Sequence, residues 1–175
     1  MKKTIAYWQT GGFAFTAVAG TLLHFLFDWT DGNVVAALFS AVNESIWEHL
    51  KLLFYPMLAV AVTEYFVWGK ELDSFWNIKL IGVLTGLVMI PTVYYTYTGM
   101  LGLNADLFNI TIFFLAAATA FWVETKLFQR NFTGRMGKWL AITLICLLVI
   151  LFTVFTFSPP HIPFFWDPIT GTYGL

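Results

Sequence analysis

The sequence predicts an all-α fold, a polytopic integral membrane helical bundle of about five transmembrane helices. Three observations carry that expectation. The chain of 175 residues is 59% hydrophobic and only 11% charged, against ~25% charged for a soluble domain. Its mean hydropathy is +0.75, so lipid must cover apolar surface that one modest domain cannot hide from water. Five segments are long and apolar enough to cross, and Lys and Arg collect on alternate loops between them.

Taken in order, the predicted spans are 5–27, 46–68, 80–100, 106–125 and 138–158, followed by an outer tail or lid over 159–175. The start, "MKKTIAYWQTGGFAF", opens like a signal peptide. Its apolar run is too long for a signal and lacks a small-x-small exit, so it reads as a retained first span. The second span begins at "SIWE", a capping box in which Ser45 caps the helix and Glu48 reaches back to it. Pro56 is expected to kink that helix. The third ends in "YYTYTGM", whose tyrosines suit an aromatic belt. The fifth, "ITLICLLVILF", is the most apolar and holds Cys146, the one cysteine, read as an apolar residue. A single cysteine excludes an internal disulfide and a CxxC metal site.

Lys2, Lys3, Lys70, Lys79, Lys126, Arg130, Arg135 and Lys138 fall on the loops that this count places inside. The N-terminus is then inside and the C-terminus outside, and Lys51 is the one misfit. A six-span alternative lets 34–50 cross, which carries Glu44, Glu48 and His49 through the bilayer. Net charge is −1, which argues against a nucleic-acid partner.

On the five-span reading the polar residues gather on the outer side. His24 and Asp28 end span one. Asn43, Glu44, Ser45, Glu48 and His49 start span two. Asp106 starts span four, and His161 and Asp167 follow span five. At 100° per residue, Glu44, Glu48 and Lys51 share a stripe, with Ser45 and His49 beside it. His24 and Asp28 are likewise four apart on one face. A cluster of imidazoles and carboxylates suits Zn²⁺ or another divalent cation, which would activate a bound water. The expected metal ligands are His24, His49, His161, Asp28 and Glu44, with Glu48 and Ser45 as catalytic residues and Asn43, Asp106 and Asp167 lining the same polar site. Structural readings stand beside these: a helix cap for Ser45 and Glu48, an i,i+3 pair of Glu48 with Lys51, and ordinary membrane-edge hydrogen bonds for the histidines. Glu64, the deepest acid, is expected to snorkel or pair with Lys70.

"LFSAVNESIWEHLKLLFYP" and "DPITGTYG" together resemble an uncharacterised family of small polytopic membrane proteins of Gram-positive bacteria, which implies location and topology but no activity. Ser45 and His49 also match the Ser-x-x-x-His pair of the ceramidase and adiponectin-receptor hydrolases, with Asp28 in place of that superfamily's acid. That superfamily has seven spans and a paired His-x-x-x-His near its end, whereas this chain has about five and a lone His161.

Three functions follow as expectations. One is a metal-dependent hydrolase of a lipid or lipid-linked substrate. Another is a small transporter or channel subunit binding a cation or small solute; no inverted repeat is visible, and five spans do not divide into a two-fold repeat, so it would need homo-oligomerisation. The last is a non-catalytic binding or assembly protein. The expected setting is the plasma membrane, crossed several times, with the lipid bilayer and a lipid or small-molecule ligand as partners.

Overall fold

In the computed structural model, residues 2–130, 132–134 and 136–175 are described. Arg135, counted above among the basic loop residues, and Asn131 lie outside the described residues. The described chain is helical: α1 (Lys2–Trp29), α2 (Val34–Ala37), α3 (Ile46–Val67), α4 (Phe75–Leu101), α5 (Asp106–Gln129) and α6 (Lys138–Phe157). All but α2 are long and apolar enough to span a membrane. Helices answer the bilayer's demand that every backbone N–H and C=O be satisfied within the segment. Pro56 and Pro91 sit inside α3 and α4, and both helices run on through them. The stretch weighed as a sixth span divides into the four-residue α2, a loop and the first turn of α3.

The helix α3 is the most buried and α1 the least. Leu53, Phe54 and Met57 of α3, Leu80 and Val83 of α4, Ala116, Ala117 and Ala120 of α5, and Phe152 of α6 form one core. Runs of alanine on α5 let α4 pack closely, and these two helices make the most extensive contact in the bundle. The first helix leans on α3 and α5 through one narrow stripe, Ile5, Gln9, Gly12, Thr16 and Gly20. A Cβ on Gly20 would strike the Leu52 carbonyl and the Phe113 ring, so glycine here is a condition of close approach. Gly102, at φ 65°, ends α4 in the left-handed conformation.

After α6 the chain turns back over the bundle. A 3-10 turn at Pro163–Phe165 buries Phe165 against Trp47, ring centroids 5.0 Å apart. Trp166 and Tyr173 pair as an isolated antiparallel bridge. Asp167 accepts hydrogen bonds from the Ile169 amide and the Thr170 hydroxyl. The Leu175 amide donates to the Thr156 carbonyl at 2.8 Å. The tail therefore lies on the end of the bundle that carries His24 and His49, called the histidine end below.

Candidate functional site

The loop between α2 and α3 is held by its own side chains. Asn33 caps α2 by accepting from the Val35 and Ala36 amides. The side-chain oxygen of Asn43 accepts from the Ser45 amide at 3.0 Å, and its nitrogen donates to the Gly174 carbonyl at 3.1 Å. The Ser45 hydroxyl accepts from the Glu48 amide at 3.3 Å and starts α3, as the capping motif predicts. The other half of the expected box is absent: Glu48 accepts from the Val42 amide, and Asn43 serves the Ser45 amide instead. Ser45 is extended (ψ 152°), so Glu44 lies outside the helical phase that governs Glu48 and His49.

That break separates two carboxylates that helical spacing placed on one stripe. Glu44 hangs over the first turn of α3. One carboxylate oxygen is 3.3 Å from His49 Nε2 and the other 3.9 Å from His24 Nε2. The two imidazole rings are 5.2 Å apart. One ligand atom from each of His24, Glu44 and His49 lies within 4.8 Å of the others. Tetrahedral zinc with ligand bonds of about 2 Å places its ligands roughly 3.3 Å apart. The Glu44–His49 pair already has that spacing, and His24 closes the rest by a side-chain adjustment of about 1.5 Å. The three side chains are 31%, 41% and 32% exposed, so the group is open to solvent on one side.

The hydrogen bonding of His49 sets its tautomer. Its Nδ1 lies 2.9 Å from the Ser45 carbonyl, an acceptor, so Nδ1 carries a proton. Nε2 then turns a lone pair toward the Glu44 carboxylate, and either a second proton or a cation must sit between them. Backbone fixing of the far ring nitrogen is the arrangement that orients metal-binding histidines. His24 adds a buried Nδ1 with no hydrogen-bond partner. The bond from His49 holds the Glu44 carboxyl below its usual range, against the opposing effect of partial burial.

The other sequence-predicted residues lie elsewhere. Glu48, 1% exposed, pairs with Lys51 at 2.5 Å and is reached by the Thr156 hydroxyl at 3.0 Å. Lys51, wholly buried, also donates to the Ala37 carbonyl and to Thr156. The misfit lysine is thus a buried pin between the α2 loop, α3 and α6. Asp28 is exposed one turn beyond His24. His161 stacks on Tyr173 in the tail, centroids 4.5 Å apart, and is not among the three grouped ligands. Asp167 is taken up in the turn that follows it, and Asp106 is an exposed first-turn residue of α5.

A second polar group, at the opposite end of the bundle, was not legible as a cluster. Glu64 pairs with Lys79, not with Lys70, and Lys79 also pairs with Glu124 at 2.5 Å. Gln9 donates to both Glu64 oxygens at 2.9 and 3.1 Å. Lys70 instead lies over the Phe66 ring. The loop count places Lys79 among the free basic charges, but α4 starts at Phe75 and buries it to 1% exposure. The signal available was the count of intramembrane carboxylates, which require a buried cation.

The whole chain, residues 1–175, matches a family described as a family of unknown function (DUF6512), and the chain belongs to that family. No curated protein and no solved structure matches it.

Proposed function

We propose that this family member is a metal-dependent membrane hydrolase that holds a divalent cation, zinc foremost, between His24, Glu44 and His49. The observation that carries the reading is the convergence of two imidazoles and one carboxylate from two helices and a loop to within 4.8 Å. Three protein ligands leave a fourth position for water, the pattern of catalytic zinc rather than structural zinc. A bound cation lowers that water's pKa toward neutrality and makes it a nucleophile. Asp28, the exposed carboxylate one turn along α1, takes the general-base role in this reading. Glu48 and Ser45 serve to build the site, since both are buried in caps and ion pairs. The count of basic residues by loop supports an outward-facing site, at the level where lipid headgroups or lipid-linked substrates lie.

The reading is tested by elemental analysis of full-length protein purified in detergent without chelator. The expected result is close to one zinc per chain. His24→Ala and His49→Ala should each weaken zinc binding by at least ~100-fold, since loss of a mere supporting contact costs 10–100-fold. Metal at background, with zinc affinity unchanged in both variants, refutes it. A transporter or channel subunit is the second reading, and the buried charges of Glu64, Lys79 and Glu124 favour it. Zinc-independent solute flux in liposomes would select it.

A further inference from the structure

The cluster of Gln9, Glu64, Lys79 and Glu124 draws one side chain from each of α1, α3, α4 and α5, and each is no more than 2% exposed. It holds two carboxylates and one ammonium. Among the described residues, no second cation pairs with either acid. The other lysines with a partner near this end, Lys70, Lys126 and Lys138, lie against Phe66, Trp122 and Trp139. The surroundings of the Lys79 ammonium are aromatic, with Phe75, Phe121 and Phe128 centroids at 5.8, 5.9 and 5.6 Å. A net charge buried in such a setting is strongly disfavoured, so one more positive charge is required.

Two further observations say what that charge is. Glu124 Oε1 and Gln9 Oε1 are buried with no hydrogen-bond partner, so the cluster lacks a donor. A metal cation would sit beside the Lys79 ammonium and repel it strongly at low dielectric. A proton on an unpartnered carboxyl oxygen neutralises the surplus charge and turns that acceptor into a donor. We propose that this cluster is an intramembrane proton-binding site, with the proton carried on Oε1 of Glu124. The two acids are not equivalent. Glu64 is held as a carboxylate by Lys79 and by both bonds from Gln9, whereas Glu124 has only its Oε2 engaged. The space for the Glu124 carboxyl comes from Gly82, where a Cβ would overlap it. Phe128, whose ring lies against the Lys79 ammonium, also lines an open cleft of about 610 Å³ at this end.

Infrared spectroscopy of the full chain in nanodiscs tests the assignment through the C=O stretch of a protonated carboxyl. At neutral pH the wild type should show this band, shifting in D₂O. Glu124→Gln should remove it. Glu64→Gln should remove it as well, because one carboxylate then balances Lys79 and no proton is needed. Both variants conserve the neutral cluster and should melt close to the wild type. Gly82→Ala should shift the band by displacing the carboxyl. The proposal is overturned if the wild type has no such band, or if the band persists in Glu124→Gln or Glu64→Gln. It does not depend on zinc: His49→Ala should leave the band unchanged, so its outcome is separable from that of the metal site.

Discussion

Glu44 and Glu48 stand four residues apart and do different work. One extended residue, Ser45, decides it: it starts the helix after Glu44, which frees that carboxylate to meet His24 and His49. Helical periodicity reads the phase of a helix but not where the phase begins, which is why the sequence placed both acids on one stripe. It did identify the cap, because Ser-x-x-Glu before an apolar run has a local cause. Partner choice was legible only where partners are close in sequence. Glu48 with Lys51 is an i,i+3 pair, whereas Lys79 finds Glu124 across 45 positions. Two outcomes follow at this scale. Lys51→Ala leaves Glu48 buried without its cation and should cost about 3–5 kcal/mol, while Glu48→Leu with Lys51→Met should fall well below that cost. Thermal melts of the single and double variants compare them, and equal losses would show that packing rather than charge is what Lys51 supplies. For Glu44, the folded carboxyl binds its proton less readily than the unfolded one, whose usual value is 4.5. The stabilisation from its pairing is therefore complete above 4.5 and fades as pH falls below it, through the lowered folded value. The difference in melting temperature between wild type and Glu44→Gln should hold above pH 4.5 and shrink as the pH is lowered below it. A difference that stays constant as the pH falls below 4.5 rules the linkage out.

Among the elements, the five long helices were legible because length and apolar content act on each segment independently. The start of α4 was not: it runs from Phe75, earlier than the expected residue 80, because Lys79 is neutralised by acids from two other helices. No local rule contains that information. The first helix shows how an element with little core of its own is placed. Its stripe of Ile5, Gln9, Gly12, Thr16 and Gly20 repeats every three or four residues, and the glycines let its backbone approach α3 and α5. His24 lies four residues beyond Gly20, so the approach at Gly20 determines how far His24 stands from His49. Gly20→Val must move backbone, since the Leu52 carbonyl cannot yield. It should cost about 1–3 kcal/mol and weaken zinc binding although no ligand is changed. Gly11→Val is the matched control, because a Cβ there meets nothing within 4 Å, and it should stay within about 0.5 kcal/mol of wild type. Equal zinc affinity in the two variants would show that α1 does not position the site.

Across the whole molecule, polarity is concentrated at two poles. The histidine end carries His24, Glu44 and His49, half-open to solvent, and the other end carries Gln9, Glu64, Lys79 and Glu124, sealed from it. The sequence pointed to the first pole because its residues cluster along the chain. It hid the second, whose members come singly from four helices. The tail belongs to the first pole by its contacts. Phe165 packs on Trp47, Gly174 accepts from Asn43, and the Leu175 amide donates to Thr156, whose hydroxyl is also bound by Lys51. Asn43 in turn holds the Ser45 amide beside Glu44, so the tail reaches the ligand loop through one side chain. Deleting 159–175 removes the apolar cover of Trp47 and the partner of Asn43 together. The deletion variant should keep its helical content, melt at lower temperature and bind zinc more weakly, as the loop carrying Glu44 loosens. Asn43→Ala, which removes the bond to Gly174 together with the bond from the Ser45 amide, should reproduce most of the zinc loss with less of the melting loss. If the deletion lowers melting but leaves zinc affinity intact, the loop holds its own shape and the tail acts only as a cover for the aromatic residues beneath it.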